Sequence, residues 1–267
     1  MEERMRSKKR AVVRVPADTL WKALRMKKNL GEVDVAKAND QHIAYCDALC
    51  NLGFNLMVLP PVKKYPDGVF VEDPAVIIKD ILIITSLRRK ERRGEEKLLY
   101  KKLAPFFPKP NVFNINPPAF IEGGDVLVAD KMLFIGLSKR TNEKGADELA
   151  RIAHDYCGYD SRIFKIPEHW LHLRGGVSFH AARNIQIIAV SEEICSYFFD
   201  LDYNFVVTPA EERFGANGIS NNGKIIIHAG KPKTKKILRA AGFEVRELEM
   251  SEFEKIDGAL SCLSKIF

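Results

Sequence analysis

Cys262, His172 and the acids Asp67, Glu72, Asp73, Glu122 and Asp125 are the residues of this sequence whose chemistry could combine on one substrate. A cysteine thiolate is a nucleophile, an imidazole can carry a proton to a leaving group, and closely placed carboxylates hold a cation. Their settings are alike, because polar groups interrupt apolar runs in each. The runs are Asp67-Gly68-Val69-Phe70-Val71-Glu72-Asp73, Phe120-Ile121-Glu122-Gly123-Gly124-Asp125-Val126 and Trp170-Leu171-His172-Leu173. If the first alternates as a strand, one of the adjacent acids Glu72 and Asp73 must face inward, and a buried carboxylate requires a cation. A guanidinium suits it, since its planar donors match carboxylates in pairs. Gly123-Gly124 reads as a plain turn or as a place where a substrate approaches the backbone. Taken singly, these residues are a capping turn, a satisfied core histidine and an inert core thiol. Taken together they supply nucleophile, proton shuttle and cation binder.

Elements that could bring them together recur along the chain. The periodicity predicts about five units, each an apolar strand, a hairpin and an amphipathic helix. The first is the strand Asn55 to Pro60, a hairpin from Val69 to Ser86 turning at Lys79-Asp80, and a helix from Glu91 to Leu103. The second is Val112 to Ile115, Asp125 to Leu137 turning at Asp130-Lys131, and a helix from Glu143 to Tyr156. The third is Arg162 to Ile166, Val177 to Val190 turning near Arg183-Asn184, and a helix from Ser191 to Phe199. The fourth is Phe205 to Thr208, Ala216 to His228 turning at Asn221-Asn222-Gly223, and a helix from Lys233 to Ala241. The fifth is divided between distant parts of the chain: the strand Glu244 to Leu248, hairpin arms Ala259 to Phe267 and Ala11 to Val15, and the helix Val33 to Leu52. Units of this kind close into a ring because none can bury its apolar face alone. Such a ring anchors Cys262 in a sheet and turns the polar interruptions toward one centre. No linker composition marks a boundary, so residues 1–267 read as a single catalytic domain of α/β class.

Composition narrows the function. With 267 residues, 46% of them hydrophobic, the chain can bury a substantial core. The apolar stretch from Ala75 to Leu87 is broken by Lys79-Asp80, and the start MEERMRSKKR has no apolar run behind it. A spanning helix and a secretory signal are therefore not expected, and the reading is cytoplasmic, with no membrane partner. Five cysteines with no CxxC pair read as reduced thiols. His42, Cys46 and Cys50 share one helical face at metal-ligand spacing, but small thiols favour burial, so the stripe reads as core. The net charge of +7 raises nucleic acid as a partner. Its most basic window, Arg88-Arg89-Lys90-Glu91-Arg92-Arg93, lacks interleaved aromatics, and a solvated loop with one arginine turned inward onto an anion is the better reading.

The chain resembles the dimethylarginine dimethylaminohydrolases, within the guanidine-modifying enzymes that share a five-bladed, pseudo-symmetric αβ-propeller, the pentein fold. The resemblance runs through Arg14-Val15-Pro16-Ala17-Asp18-Thr19-Leu20, Glu32-Val33-Asp34-Val35-Ala36 with Gln41-His42, and Pro66 to Asp73. It continues through Arg92-Arg93-Gly94-Glu95, Glu122 to Leu127, Gly136 to Asn142, Leu171-His172-Leu173 and Asp257-Gly258-Ala259-Leu260-Ser261-Cys262-Leu263-Ser264. The segment Arg174 to Phe179 and the turn Thr85-Ser86-Leu87 depart from the family pattern. The resemblance implies Cys262 as nucleophile, His172 as general acid and base, and Glu122 as the carboxylate that helps hold and activate. It implies Asp73 with Glu72 on the guanidinium, Asp67 on the substrate's amino end, Arg92 and Arg140 on its α-carboxylate, and Leu20 in a lid. Phe70 and the backbone carbonyl of Ile256 complete the substrate-binding set. The implied reaction turns dimethylarginine and water into citrulline and dimethylamine through a covalent thiouronium. It uses no metal or organic cofactor, although zinc could be captured at Cys262 as an inhibitor. The partner is a small guanidino amino acid, and the assembly a monomer or homodimer. The alternative is a deiminase or dihydrolase acting on unmethylated arginine; a basic binding protein without catalysis would lack the thiol or the histidine.

Overall fold

The computed structural model describes residues 9–26, 30–182 and 185–267, whose strands form five three-stranded sheets. Strand β1 (Arg10–Arg14) leads through α1 (Val35–Asn51) to the parallel β2 (Asn55–Leu59). The hairpin β3 (Ala75–Ile78) and β4 (Ile81–Ile84) leads through α2 (Glu95–Leu103) to β5 (Val112–Asn114). Next come β6 (Val126–Ala129) and β7 (Met132–Leu137), then α3 (Glu143–Cys157) and β8 (Asp160–Lys165). The fourth sheet holds β9 (Val177–Ala182), β10 (Ile185–Ser191) and β11 (Asn204–Thr208). The fifth holds β12 (Ile219–Asn221), β13 (Lys224–His228) and, after α4 (Pro232–Ala240), β14 (Glu244–Leu248). Past the short α5 (Ser251–Glu254), β15 (Ser264–Ile266) returns to β1 antiparallel, with Ala11 opposite Ile266 and Val13 opposite Ser264.

The repeat is therefore framed one strand later than the periodicity suggests. Each hairpin is joined by the strand that follows its crossover, a helix in four sheets and a 3-10 turn in that of β9 and β10, so Asn55–Leu59 completes the sheet of β1 and β15, while Glu244–Leu248 completes that of β12 and β13. The reason is geometric: a strand laid parallel to its predecessor needs a crossover, which the helix supplies.

The central strand of each sheet is largely apolar on both faces because it serves two cores. In β4, Leu82 and Ile84 pack with Val12 and Leu99, whereas Ile81 and Ile83 pack with Ile135 and Leu149. In β10, Ile188 and Val190 join Phe134, and Ile187 and Ala189 join Ile225 and Leu238. Ala11 and Val13 of β1 share a core with Ile219 and Ile226 of the last hairpin. Three hairpins turn on a left-handed residue, Lys79, Asp130 or Asn222, as two-residue turns of the primed type require.

Three expected elements are corrected. The helix starting at Glu91 begins instead at Glu95, because Gly94 is left-handed (φ 108°). The helix from Ser191 to Phe199 is only a 3-10 turn, Cys195–Tyr197, after β10; its Cys, Ser, Tyr and Phe residues are weak helix formers. The arm Ala259 to Phe267 is a strand only over Ser264–Ile266, and Cys262 sits in the preceding 3-10 turn, Ser261–Leu263. The expected turn at Arg183-Asn184 and residues 1–8 of the basic start lie outside the described residues. Among the described residues no helix is long and apolar enough to cross a membrane. Cys50 is exposed, so the His42, Cys46, Cys50 stripe reaches solvent rather than staying within the core.

Candidate active site

Six separate connections meet around one small cavity, one of them the β1–α1 segment with Leu24. Asp67 and Phe70 come from the segment before β3, with Asp73 just behind them; Arg92 precedes α2, Arg140 precedes α3 and His172 precedes β9. Ile256 and Cys262 come from the segment between β14 and β15. The sequence-predicted residues Asp67, Phe70, Asp73, Arg92, Arg140, His172, Ile256 and Cys262 thus share one lining.

His172 is fixed from both sides. Its Nε2 lies 2.9 Å from Glu122 Oε2, which leaves Nδ1 toward Asp73, 3.9 Å away. Burial opposes charge on the imidazole, but Asp73, Asp125 and the bonded Glu122 outweigh it and push the ring up to about 9. Burial likewise opposes charge on Glu122, yet the His172 bond and the guanidiniums of Arg140 and Arg92 hold it at about 2. At neutral pH the pair is imidazolium and carboxylate. His172 is set to donate a proton.

Both glycines after Glu122 are required by close approach. A Cβ on Gly124 would stand 2.8 Å from Asp73 Oδ1 and from His172 Cγ and Nδ1; one on Gly123 would stand 2.2 Å from the Glu72 carbonyl. The crowding neighbour is the site's own imidazole and backbone, which replaces the expectation that a substrate uses this space. The Gly124 N–H also donates to Asp73 Oδ1 at 3.1 Å.

Arg92 is the inward-turned arginine of the basic window, 2% exposed while Arg88, Arg89 and Lys90 face solvent. Its Nη1 bonds Asp73 Oδ2 at 2.6 Å, its Nε and Nη2 grip Glu95, and its Nη2 donates to the Phe70 carbonyl at 3.3 Å. Burial disfavours its charge, but Glu95 and Asp73 raise it well above the ordinary arginine value. Arg140 Nη1 lies 3.2 Å from Glu122 Oε2. Both arginines, expected on a substrate carboxylate, are here paired with the site's own acids.

Cys262 is 6% exposed, and burial together with Glu72 and Asp73 raises its thiol well above the ordinary range. Its turn is held from beneath. The Ser261 N–H donates to Asn217 Oδ1 (3.0 Å), and Asn217 Nδ2 returns a bond to Ser261 Oγ (2.8 Å). The Leu260 N–H donates to His228 Nε2 at 3.2 Å, so that nitrogen is the acceptor and Nδ1–H faces Glu254 at 2.6 Å. Asn217 and His228 have no local sequence signal that could have found them.

Other predicted residues sit further out. Glu72 accepts from Ser261 Oγ at 2.8 Å and lines a second cavity behind the site with Arg174 and Lys265. Leu20 is buried in the core, and the cavity wall is Leu24, whose N–H donates to both Asp67 oxygens at 3.2 Å. Burial raises the Asp67 carboxyl against the pull of Arg92. Asp125 is a tie rather than a binder: it accepts from Ser138 Oγ, Thr141 Oγ1 and the Leu173 N–H, joining the Arg140 loop to the His172 loop. Asp73, Glu122 and His172 present ligand atoms within 4.8 Å of one another, a spacing a metal ion could use. A larger groove, about 570 Å³, lies elsewhere and contains none of these groups; thiol, imidazole and carboxylates converge in the smaller cavity.

A family model described as "N,N dimethylarginine dimethylhydrolase, eukaryotic" matches residues 17–196. The N(G),N(G)-dimethylarginine dimethylaminohydrolase of Pseudomonas aeruginosa is 35% identical over 261 residues, covering 97% of this chain and 99% of the relative. This chain belongs to the dimethylarginine dimethylaminohydrolase family. The family enzyme of Streptomyces coelicolor is 30% identical, with 96% of each chain covered. A cysteine-to-serine mutant of the Pseudomonas dimethylarginine dimethylaminohydrolase, solved in complex with citrulline, superposes with a TM-score of 0.90 at 33% identity over 97% of this chain and 99% of that one. The N-terminal domain of a cyanobacterial arginine dihydrolase shares the fold at 18% identity, with a TM-score of 0.80 over 97% of this chain and 98% of that one. The α/β architecture of five small sheets is thus common to both groups.

Proposed function

We propose that this protein hydrolyses Nω-methylated arginine to citrulline and a methylamine, with Cys262 as nucleophile, His172 as acid and then base, and Glu122 holding His172. The observation that carries the reading is the convergence of Cys262, an imidazolium already paired with Glu122, and the Asp73 carboxylate in a single cavity. Five cores joining each sheet to the next, the last sheet meeting the first through Ala11, Val13, Ile219 and Ile226, support a propeller with the reaction at its centre.

The charges order the steps. In the resting site the thiol keeps its proton, because burial and two carboxylates disfavour the thiolate. A substrate guanidinium entering beside Asp73 reverses that balance, and the thiol proton leaves to solvent as the cation arrives. The thiolate adds to the guanidinium carbon, His172 gives its Nδ1 proton to the departing dimethylamine, and a thiouronium remains on Cys262. His172, now neutral, accepts a proton from the attacking water, and collapse releases citrulline and the thiol. Asp67 faces the substrate's amino end, Arg92 and Arg140 exchange their internal partners for its carboxylate, and Phe70 and the Ile256 carbonyl wall the pocket. Neither a metal nor an organic cofactor enters these steps; zinc held between Cys262 and His172 would block both groups.

Incubation with asymmetric dimethylarginine, arginine and agmatine, reading citrulline-type product and dimethylamine, tests the proposal. Dimethylarginine is expected to turn over and the Cys262→Ala variant to be inactive. Turnover of arginine alone would assign the chain to dihydrolase chemistry, and full activity in the variant would end the mechanism.

A further inference from the structure

The cavity behind the candidate active site, about 190 Å³, shares no lining residue with the one that holds Cys262. Its walls come from four sheets: Val76 of β3, Val126 of β6, Ile219 of β12 and Lys265 of β15. Its ionisable lining groups are Glu72, Arg174 and Lys265. Each stands close in sequence to a group of the active site, Glu72 beside Asp73, Arg174 after His172 and Lys265 after Cys262. The cavity therefore backs onto the chemistry, yet no step of the proposed reaction uses Arg174 or Lys265.

Lys265 is 9% exposed, and its ammonium has neither a hydrogen-bond acceptor nor an ion-pair partner among the described residues. Its direction follows from the strand. Ser264 accepts from the Tyr45 hydroxyl at 2.7 Å and Ile266 packs on the same core, so Lys265 between them points to the opposite face. Its cross-strand partner Val12 points the same way and packs with Val71 and Ala75, which flank the Glu72-Asp73-Pro74 turn. The side chain is thereby aimed at the cavity and at Glu72. Burial pulls its ammonium down to about 8, with Glu72 acting to raise it and Arg174 to lower it. The Arg174 guanidinium also donates to no acceptor among the described residues; its Nε lies 3.6 Å from Glu72 Oε1, too far for a hydrogen bond. The other Glu72 oxygen accepts from Ser261 Oγ at 2.8 Å. Two cations thus face one carboxylate across a shared space, and one positive charge is left over.

We infer that this cavity binds one small monovalent inorganic anion of the chloride class, held between Lys265 and Arg174. A buried ammonium without an acceptor is disfavoured, and a single anion supplies both the missing acceptor and the missing charge. The volume admits an ion with a few waters and falls short of the roughly 300 Å³ at which pockets for organic ligands begin. Glu72 sets the affinity from the other side, because its negative charge opposes the anion.

Chlorine NMR on the whole protein tests this without turnover. Titration with sodium chloride should show an excess line width that saturates as one site fills, and sodium nitrate should remove it. Lys265→Met, which keeps an unbranched stem in the same space, should raise the Kd at least about tenfold, and Arg174→Gln should do the same. Glu72→Gln should lower the Kd at least about fivefold, since the opposing charge is gone while the Ser261 hydroxyl keeps an acceptor. Circular dichroism checks that each variant is folded, and a gain of affinity cannot come from misfolding. An excess line width that never saturates, that a folded Lys265→Met protein retains, or that reports weaker binding in Glu72→Gln would overturn the inference. Since citrulline formation is not measured, failure here is separate from failure of the proposed reaction.

Discussion

Replacing Glu122 by glutamine keeps the shape of the site while removing the charge on which His172 leans. The carboxylate is fully buried and faces three cations: His172 Nε2 at 2.9 Å, Arg140 at 3.2 Å and Arg92 at 3.8 Å. Holding His172 at about 9 instead of 6.5 amounts to ~3 kcal/mol in favour of the imidazolium. Holding Glu122 at about 2 instead of 4.5 describes the same network from its other partner, so the two figures are not added. Asp73 and Asp125 remain in the variant, and the expected loss of stability is ~2 kcal/mol. Its pH dependence carries the test. A raised histidine stabilises the fold fully below 6.5 and loses that contribution as pH climbs through about 9. A lowered carboxylate stabilises above 4.5 and loses the contribution as pH falls toward about 2. The gap between native protein and variant is therefore widest between 4.5 and 6.5. Urea unfolding of both proteins at about pH 6 and about pH 10 should show a gap of ~2 kcal/mol that shrinks by at least about half at the higher pH. A gap of the same size at both pH values would refute the imidazolium–carboxylate resting state.

Gly124→Ala should lower citrulline formation by at least about tenfold and also lower stability by about 1–3 kcal/mol, because its new methyl meets the buried, bonded His172 ring and Asp73 carboxylate; unchanged steady-state rates would contradict the packing. Asn217→Ala should destabilise the protein by about 1–3 kcal/mol, since the buried Ser261 N–H beside Cys262 loses its acceptor while the Ser261 hydroxyl keeps only Glu72, a loss readable by thermal unfolding. Iodoacetamide should modify Cys262 more slowly than the exposed Cys50 at neutral pH, with the Cys262 rate rising on addition of methylguanidinium; peptide mass spectrometry that finds Cys262 the faster thiol in buffer alone would contradict the raised thiol.

Much of this was legible where local pattern and tertiary need agree. Ala75–Ile78 and Ile81–Ile84 read as strands because every position is apolar, and the turns at Lys79, Asp130 and Asn222 stand where the hairpins turn. The acids at 67, 72, 73 and 122 were visible because charge inside an apolar run needs a reason. Framing of the repeat was not visible, since the choice between neighbouring hairpins for Asn55–Leu59 and Glu244–Leu248 is made by crossover geometry. The support of Cys262 by Asn217 and His228 was hidden for a related reason: the bonds span 44 and 32 residues and leave no periodic trace. Leu24 was missed in favour of Leu20 because its contribution is a backbone N–H, which any residue type carries.

The pairing of β15 with β1 has a kinetic side. It joins Ala11 to Ile266, across nearly the whole chain, and closing so long a span costs roughly 5 kcal/mol of chain entropy before any contact repays it. The sheets built from neighbouring hairpins can form early, carrying the histidine and the carboxylates with them, while the thiol arrives with the slowest contact. Until then one edge of β1 is bare, open to the matching strand of another copy. Two copies that exchanged this strand, and the turn before it, would each hold the other's Cys262 beside its own His172.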